Sequence, residues 1–168
     1  MTMVAMSVEV VRLREDEWQS YRAIRLDALQ DSPAAFGSTL AEEQAFREST
    51  WRRRLAESAT FVARVGGQVT TKPVGLVGVF RDPEEATYEL VSMWVRPAAR
   101  GSKVADALVR AVIGEVADIG ADAVHLWVTE PNTAARRLYE RRGFSYTGRQ
   151  IPLPSTPSLT ELRMVRYV

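Results

Sequence analysis

A strand, a short polar loop and an amphipathic helix follow one another directly over residues 86–120, and this unit narrows the choice of fold more than any other segment. The strand, "ATYELVSMWV", alternates its side chains between two faces. One predicted face carries Tyr88, Leu90, Ser92 and Trp94, and the other carries Glu89, Val91, Met93 and Val95. The helix is predicted from an apolar stripe that ends at Gly120 and comprises Val104, Leu108, Ala111, Val112, Val116 and Ile119.

The elements on either side of this unit complete a mixed α/β order. Strands are predicted at residues 8–13, 61–65, 73–80, 123–128, 144–148 and 161–167, with a hairpin around Gly66 and Gly67 and a proline-rich connection over 151–159. Helices are predicted over residues 15–33, after Thr39 with Glu42 completing a capping box, after Ser49 as a cap, and over 132–143. An antiparallel meander joined to a strand-helix-strand half is therefore expected.

Size and composition favour one domain over residues 1–168 and exclude several kinds of chemistry. Lys and Arg number 22 against 21 Asp and Glu, so neither nucleic acid nor a membrane surface is expected as a partner. The chain has no cysteine and a single histidine, His125, which excludes a thiolate nucleophile and predicts no metal site. Since the sequence shows no basic leader and no run of about 18 apolar residues, a cytoplasmic protein is expected.

The loop "RGSKVA" before the predicted helix has the outline of an anion site. A strand that enters such a loop directs several free backbone N–H groups toward one point, with the positive end of the helix dipole behind them. This arrangement suits a pyrophosphate, but many helices simply begin after a small polar turn. Lys103 stands where loops of this kind usually have a glycine. On spacing alone, both interpretations stay open.

Two motifs at the expected distance resemble the GNAT superfamily of acetyl-CoA-dependent N-acetyltransferases over about residues 88–148. The first, R/Q-x-x-G-x-G/A, is matched at Arg100 and Ala105, with Lys103 in place of the first glycine. The second, N-x-x-A-x-x-L-Y-x-x-x-G-F, is matched at Asn132, Ala135, Leu138, Tyr139, Gly143 and Phe144. The segment "RLDALQDSPAAFGSTLAEE" is similar to the helix-loop-helix that frames the acceptor site in many members. The resemblance implies a mostly antiparallel sheet, splayed at the acyl-CoA site, with helices on both faces.

The resemblance also implies a set of site residues. The backbone of Met93, Trp94 and Val95 would pair with the pantetheine arm of acetyl-CoA. Main-chain N–H groups of the loop would hold the pyrophosphate, and the loop comprises Arg100, Gly101, Ser102, Lys103, Val104, Ala105 and Asp106. Asn132 would touch the cofactor arm. Tyr139 would lie near the sulfur as the acid that protonates the leaving thiolate, and Glu89 is the candidate base, acting through water.

Each assignment has a plainer alternative. Tyr139 could serve packing with its hydroxyl at the surface, and Asn132 could serve only as a helix cap. Glu89 could be a carboxylate on a solvated strand face, which is the slightly favoured interpretation. His125 is more simply explained as a satisfied structural histidine than as a base.

The predicted activity is direct transfer of an acetyl group from acetyl-CoA to a primary amine. The acceptor pocket is expected to include Phe36 and Ser38, but neither residue names the acceptor. The alternatives are a non-catalytic acyl-CoA-binding regulatory module and an interaction domain without a cofactor. Homodimers are common among similar proteins, and the sequence leaves the oligomeric state open.

Overall fold

The computed structural model describes residues 7–66 and 72–168, and these residues form an open seven-stranded sheet with helices on both faces. The strands are β1 (Val8–Arg12), β2 (Ser58–Val65), β3 (Gly75–Arg81), β4 (Tyr88–Val95), β5 (Ala123–Thr129), β6 (Ser145–Leu153) and β7 (Thr156–Tyr167). The helices are α1 (Trp18–Asp31), α2 (Leu40–Gln44), α3 (Glu48–Glu57), α4 (Val104–Asp118) and α5 (Thr133–Arg141). The strand order is β1-β2-β3-β4-β5-β7-β6. All neighbours are antiparallel except β4 and β5, which are parallel, so the fold predicted from the sequence is confirmed.

Two apolar clusters fix the helices to opposite faces of the sheet. The stripe of α4 packs on one face, where Leu108 and Val112 meet Val77 and Val79 of β3. Helices α1 and α3 cover the other face together with Leu76 and Trp94. Since each strand sends alternate residues to the two clusters, the sheet is buried on both sides over β2, β3 and β4.

Gly75 allows α4 to lie close to the sheet at its N-terminal end. A Cβ atom at this position would lie 2.8 Å from Leu108 Cδ1 and 2.9 Å from Val104 Cγ1. These distances are shorter than side chains tolerate, so the absence of a side chain at Gly75 sets how near the first turn of α4 comes to β3. The loop before α4 is placed by this contact.

A β-bulge interrupts β4 at Ser92 and Met93. Trp94 pairs with Leu76 and Val91 pairs with Gly78, so two residues of β4 oppose the single residue between them on β3. Ser92 has a φ of 59°, the left-handed conformation that side chains disfavour. The bulge reverses the alternation beyond this point: Met93 packs toward the α4 cluster, as Leu90 does, and Trp94 packs toward α1. The predicted uniform alternation of this strand is therefore wrong after Val91.

Strands β4 and β5 diverge soon after they meet. Their parallel register contains two pairs, Tyr88 with Val124 and Glu89 with His125, although the strands continue to Val95 and Thr129. The open wedge lies at the carboxyl ends of both strands. This divergence confirms the splayed sheet that the family resemblance implied.

Several local predictions can be compared directly with the structure. Thr39 caps α2, with Glu42 completing the capping box as predicted. Ser49 lies inside α3, whose N-cap is Arg47, so its predicted role is wrong. The segment 151–159 is mostly strand, because β6 and β7 form a hairpin. Of the glycine pair in the predicted hairpin turn between β2 and β3, Gly67 lies outside the described residues.

Candidate active site

The loop between β4 and α4 closes one side of the wedge. Gly101 has a φ of 74°, so this position is the one in the loop that needs a glycine. Lys103 has a φ of −82° and is exposed, so ordinary backbone geometry accommodates a lysine at the family's usual glycine position. The side chains of Val104 and Ala105 pack in the apolar cluster between α4 and the sheet.

These features fit an anionic ligand at the start of α4. The first-turn N–H groups of an α-helix lack intrahelical acceptors and carry the positive end of the dipole. No Cβ-sized obstruction lies over Gly101. The ammonium of Lys103 adds a positive charge beside the loop. The loop can therefore accept a diphosphate through its backbone, with Lys103 as a flanking cation.

Arg100 fixes the loop to the end of α1. Its Nε atom donates to the Val95 carbonyl at 2.9 Å, and its Nη2 atom donates to Asp31 Oδ2 at 2.5 Å. The indole N–H of Trp94 donates to the same Asp31 oxygen at 2.9 Å. Hydrogen bonds from Trp94, Ser32 and Arg100 lower the pKa of Asp31. The guanidinium of Arg100 is thus engaged in holding the loop to the end of α1.

Asp106 joins α4 to α5. Its carboxylate accepts from Arg142 Nε at 2.6 Å and from Arg141 Nη2 at 3.1 Å. Burial alone would raise the pKa of Asp106, but the hydrogen bonds and charges of the two arginines outweigh burial and lower it. The side chain therefore holds α5, which carries Tyr139, against the start of α4.

Asn132 and Tyr139 both belong to α5. The side-chain oxygen Oδ1 of Asn132 accepts from the Ala135 N–H at 3.1 Å, so this residue caps the helix, while its side-chain amide nitrogen is left for a cofactor contact. Tyr139 is 5% exposed, and its ring lies 5.7 Å from that of Phe144 in an edge-on arrangement. Burial raises the pKa of the Tyr139 phenol well above its usual value. The hydroxyl therefore stays protonated at neutral pH and can act as a hydrogen-bond donor.

Glu89 is not a solvated carboxylate. It is 6% exposed, and both of its oxygens accept from Arg163, at 2.5 Å for Oε1 and 2.7 Å for Oε2. Oε1 also accepts from the Thr87 hydroxyl at 2.7 Å. The favoured interpretation of Glu89 as a surface group is thus wrong, and the β4 bulge places Met93 on the opposite face. Arg163 was missed because its partner lies far away in the sequence.

A cavity of about 510 Å³ lies on the α1 side of the sheet beside the wedge. Both predicted pocket residues, Phe36 and Ser38, line it. Its charged lining residues are Arg25, Asp82, Glu85, Glu89, Arg149 and Glu161. Glu85 pairs with Arg149 at 2.8 Å, in addition to the pairing of Glu89 with Arg163.

Glu161 differs from the other carboxylates of this cavity. Asp82 accepts hydrogen bonds from the backbone N–H groups of Glu84 and Glu85, whereas Glu161 has neither an ion-pair partner nor a hydrogen-bond donor among the described residues. Burial raises the pKa of Glu161, and no neighbouring charge opposes that effect. It lies on β7 opposite Thr129, the last residue of β5, and so at the open end of the wedge. No local pattern marks Glu161, because its surroundings arise only when β5, β6 and β7 assemble.

His125 faces a second cavity of about 370 Å³ at the opposite end of β5. Its Nδ1 atom is buried without a hydrogen-bond partner among the described residues, so the expectation of a satisfied histidine is wrong at this atom. Burial, assisted by the charge of Arg163, lowers the pKa of His125. The ring is therefore neutral near pH 7.

The described residues lack two other features. Residues 7–66 and 72–168 contain no cluster of three or more histidine, aspartate or glutamate side chains arranged to hold a metal ion. Over the same residues, no helix has the length and apolar character needed to cross a membrane.

Solved acetyltransferases have the same fold. The PaiA N-acetyltransferase of Thermoplasma acidophilum, solved in complex with coenzyme A, is 12% identical, with a TM-score of 0.71 over 97% of this chain and 100% of its own. The ribosomal-protein-alanine N-acetyltransferase of Brucella melitensis is 21% identical, with a TM-score of 0.71 over 95% of this chain and 99% of its own. The TM-scores show that the fold is shared, and at these low identities the comparison shows the fold alone.

Sequence comparison establishes the family. The pattern of the acetyltransferase (GNAT) family matches residues 11–144, and the chain belongs to this family. The mycothiol acetyltransferase of Salinispora tropica is 32% identical over 133 residues, which are 78% of this chain and 41% of that protein. The chain spans less than half the length of the curated relatives it matches. The resemblance stated from the two motifs is confirmed.

Proposed function

We propose that this protein transfers an acetyl group from acetyl-CoA to a primary amine that enters the site as a cation. The observation that carries the proposal is the position of the wedge between β4 and β5, which adjoins both the anion-accepting loop and the acid-lined cavity. A donor with a diphosphate and an acceptor with an ammonium group would thus meet at one point of the sheet.

The donor half of the site is formed by backbone. The free edge of Met93 to Val95 would pair with the pantetheine arm, and the 100–106 loop would receive the diphosphate. Acetyl-CoA, when bound, supplies the acetyl group as an activated thioester. Tyr139 would donate a hydrogen bond to the leaving sulfur. Its raised pKa makes full proton transfer costly, so stabilisation of the thiolate by this hydrogen bond is the role its surroundings support.

The acceptor half of the site favours a cation. Arg149 and Arg163 compensate Glu85 and Glu89, but among the described residues no arginine pairs with Glu161. A partly buried carboxylate without a partner is unfavourable, and an ammonium group would relieve that cost. An ammonium must also lose a proton before it can attack. Glu161 is therefore the base we propose, directly or through water, in place of Glu89, whose oxygens are occupied by Arg163.

Acetyl transfer to a panel of amines tests this proposal. The panel contains diamines, amino sugars, amino acids and peptide N-termini, and release of CoA is followed with a thiol reagent. We expect turnover with primary amines that are ammonium ions at neutral pH, and a lower rate for Tyr139→Phe and Glu161→Gln. CoA binding without turnover on any acceptor would favour the regulatory module instead. No thermal shift with acetyl-CoA would favour an interaction domain.

A further inference from the structure

The left-handed backbone of Ser92 requires an explanation. A φ of 59° is common for glycine and uncommon for other residues, and such a conformation persists when its surroundings enforce it. Ser92 lies in the bulge that changes which face of β4 each later residue occupies. Whatever holds Ser92 also determines the position of the backbone from Met93 to Val95.

Arg25 of α1 supplies the holding contact. Its Nη1 atom donates to the Ser92 hydroxyl oxygen at 2.8 Å. The rest of the guanidinium is engaged by Glu43 of α2, because Nε donates to Oε2 at 3.0 Å and Nη2 donates to Oε1 at 2.9 Å. The ring of Phe36 lies 4.5 Å from its Cζ atom. Arg25 is 7% exposed and Glu43 is fully buried, so little freedom is left to this cation.

The orientation of Glu43 is itself fixed. Arg54 of α3 lies 3.2 Å from Glu43 Oε1, so two arginines share this carboxylate. Burial would raise the pKa of Glu43, but the hydrogen bonds and charges of Arg25 and Arg54 outweigh burial and lower it. The carboxylate is therefore charged at neutral pH. A chain of contacts thus runs from α3 and α2 through Arg25 to the bulge in β4.

We propose that Arg25 is a positioning residue that holds the β4 bulge through Ser92 and so keeps Met93 to Val95 open toward acyl-CoA. This proposal rests on the proposed function in assuming that acyl-CoA binds at the wedge. Without the contact, β4 can populate a regular strand in which the residues after Ser92 exchange faces. The fraction of molecules competent to bind would fall, and the apparent Kd for CoA would rise by the same factor.

Two substitutions at Ser92 separate this role from a general structural one. Ser92→Ala removes the hydroxyl contact but keeps the unfavourable left-handed backbone, whereas Ser92→Gly removes the contact and the conformational demand together. Both leave the Arg25–Glu43 pair intact. We expect Ser92→Ala to raise the Kd for CoA about tenfold, as the loss of a hydrogen bond to a charged group allows. We expect Ser92→Gly to stay within about twofold of the parent.

The measurements are calorimetric titration with CoA and the amide chemical shifts of Met93 to Val95 in the free protein. In the free protein, we expect those shifts to move in Ser92→Ala and to stay near the parent values in Ser92→Gly. Unchanged affinity and unchanged shifts in Ser92→Ala would overturn the proposal. Equal losses in the two variants would also overturn it, because the hydroxyl would then be acting on the ligand itself.

The amide shifts distinguish this proposal from the proposed function. If the parent protein fails to bind CoA, the proposed function falls, but the shifts still report whether Arg25 holds the strand. A second test compares the amide shifts of Met93 to Val95 in Arg25→Met and in the double variant Arg25→Met with Ser92→Gly. Thermal unfolding checks that both variants are folded. Recovery of the parent shifts in the double variant supports the proposal, and no recovery in a folded double variant counts against it.

Discussion

Breaking the ion pair between Glu89 and Arg163 should destabilise the fold strongly. The two side chains are 7% and 4% exposed, respectively. Removing one partner leaves the other charge buried, which costs about 3–5 kcal/mol. Each kcal/mol shifts the Tm of a chain of this size by about 2–4 °C, so the expected fall for Arg163→Met is roughly 6–20 °C.

An exposed ion pair provides the matched control. Arg52 pairs with Glu48 one helical turn away, and the two side chains are 41% and 54% exposed. Arg52→Met should therefore cost about 0.5 kcal/mol or less. Differential scanning calorimetry compares the two variants at the same pH and salt. The double variant of Arg163→Met and Glu89→Leu removes both charges and should recover much of the lost stability.

Two results would refute this reasoning. Equal Tm values for Arg163→Met and Arg52→Met would show that the buried pair contributes no more than a surface one. A loss of kcat of about 100-fold or more in Glu89→Gln, with an unchanged Tm, would identify Glu89 as the catalytic base. In that case our assignment of Glu161 would be wrong.

The remaining predictions concern three positions. Glu161→Gln should lower kcat and raise the KM for the acceptor amine, and the acid limb of the parent pH–rate profile should lie above pH 4.5, because burial raises the pKa of Glu161 from that value. A carboxyl group whose pKa is raised by folding destabilises the folded state at pH values at which it is charged. Glu161→Gln removes that charge and should therefore also raise the Tm at pH 7, and a lower Tm would contradict this prediction. Lys103→Gly should raise the Kd for CoA by much less than tenfold, because the lysine flanks the diphosphate without holding it, whereas a rise of about tenfold, equivalent to about 1.4 kcal/mol, would make the lysine a direct ligand. Gly75→Ala on β3 should cost about 1–3 kcal/mol of stability and weaken CoA binding, because the added methyl group displaces α4. Gly114→Ala is the control: Gly114 lies within α4 and faces open space, so this substitution should be neutral or stabilising.

Local signals predicted the secondary structure well. The apolar stripe of α4, the Thr39 capping box and the Asn132 cap depend on residues within a few positions of one another, so a single sequence contains them. The second family motif likewise coincides with α5, and the first marks the loop that we propose holds the donor. The predicted cap at Ser49 is wrong because α3 begins two residues earlier than a cap at this serine requires. Its N-cap is Arg47, a residue type that the capping pattern does not mark.

The site depended on contacts that the sequence does not display. The bulge in β4 occurs at a serine rather than a glycine, so no local signal marked it, and the faces of Met93 and Trp94 were assigned wrongly. Glu89 and Arg163 are distant in sequence, and only the strand order brings them together. The role of Arg25 required α1, α2 and β4 to be in place at once.

The divergence of β4 and β5 divides the sheet into two leaves, β1–β4 and β5–β7, joined by only two residue pairs of backbone register. The leaves are held by side chains: the ion pair of Glu89 and Arg163 on one face and the packing of α4 on the other. Where the two inner strands part, they present unpaired backbone N–H and C=O groups like those at the outer edge of a sheet. The protein therefore carries an internal sheet edge, which is a docking surface for any ligand that can hydrogen-bond as an extended strand does.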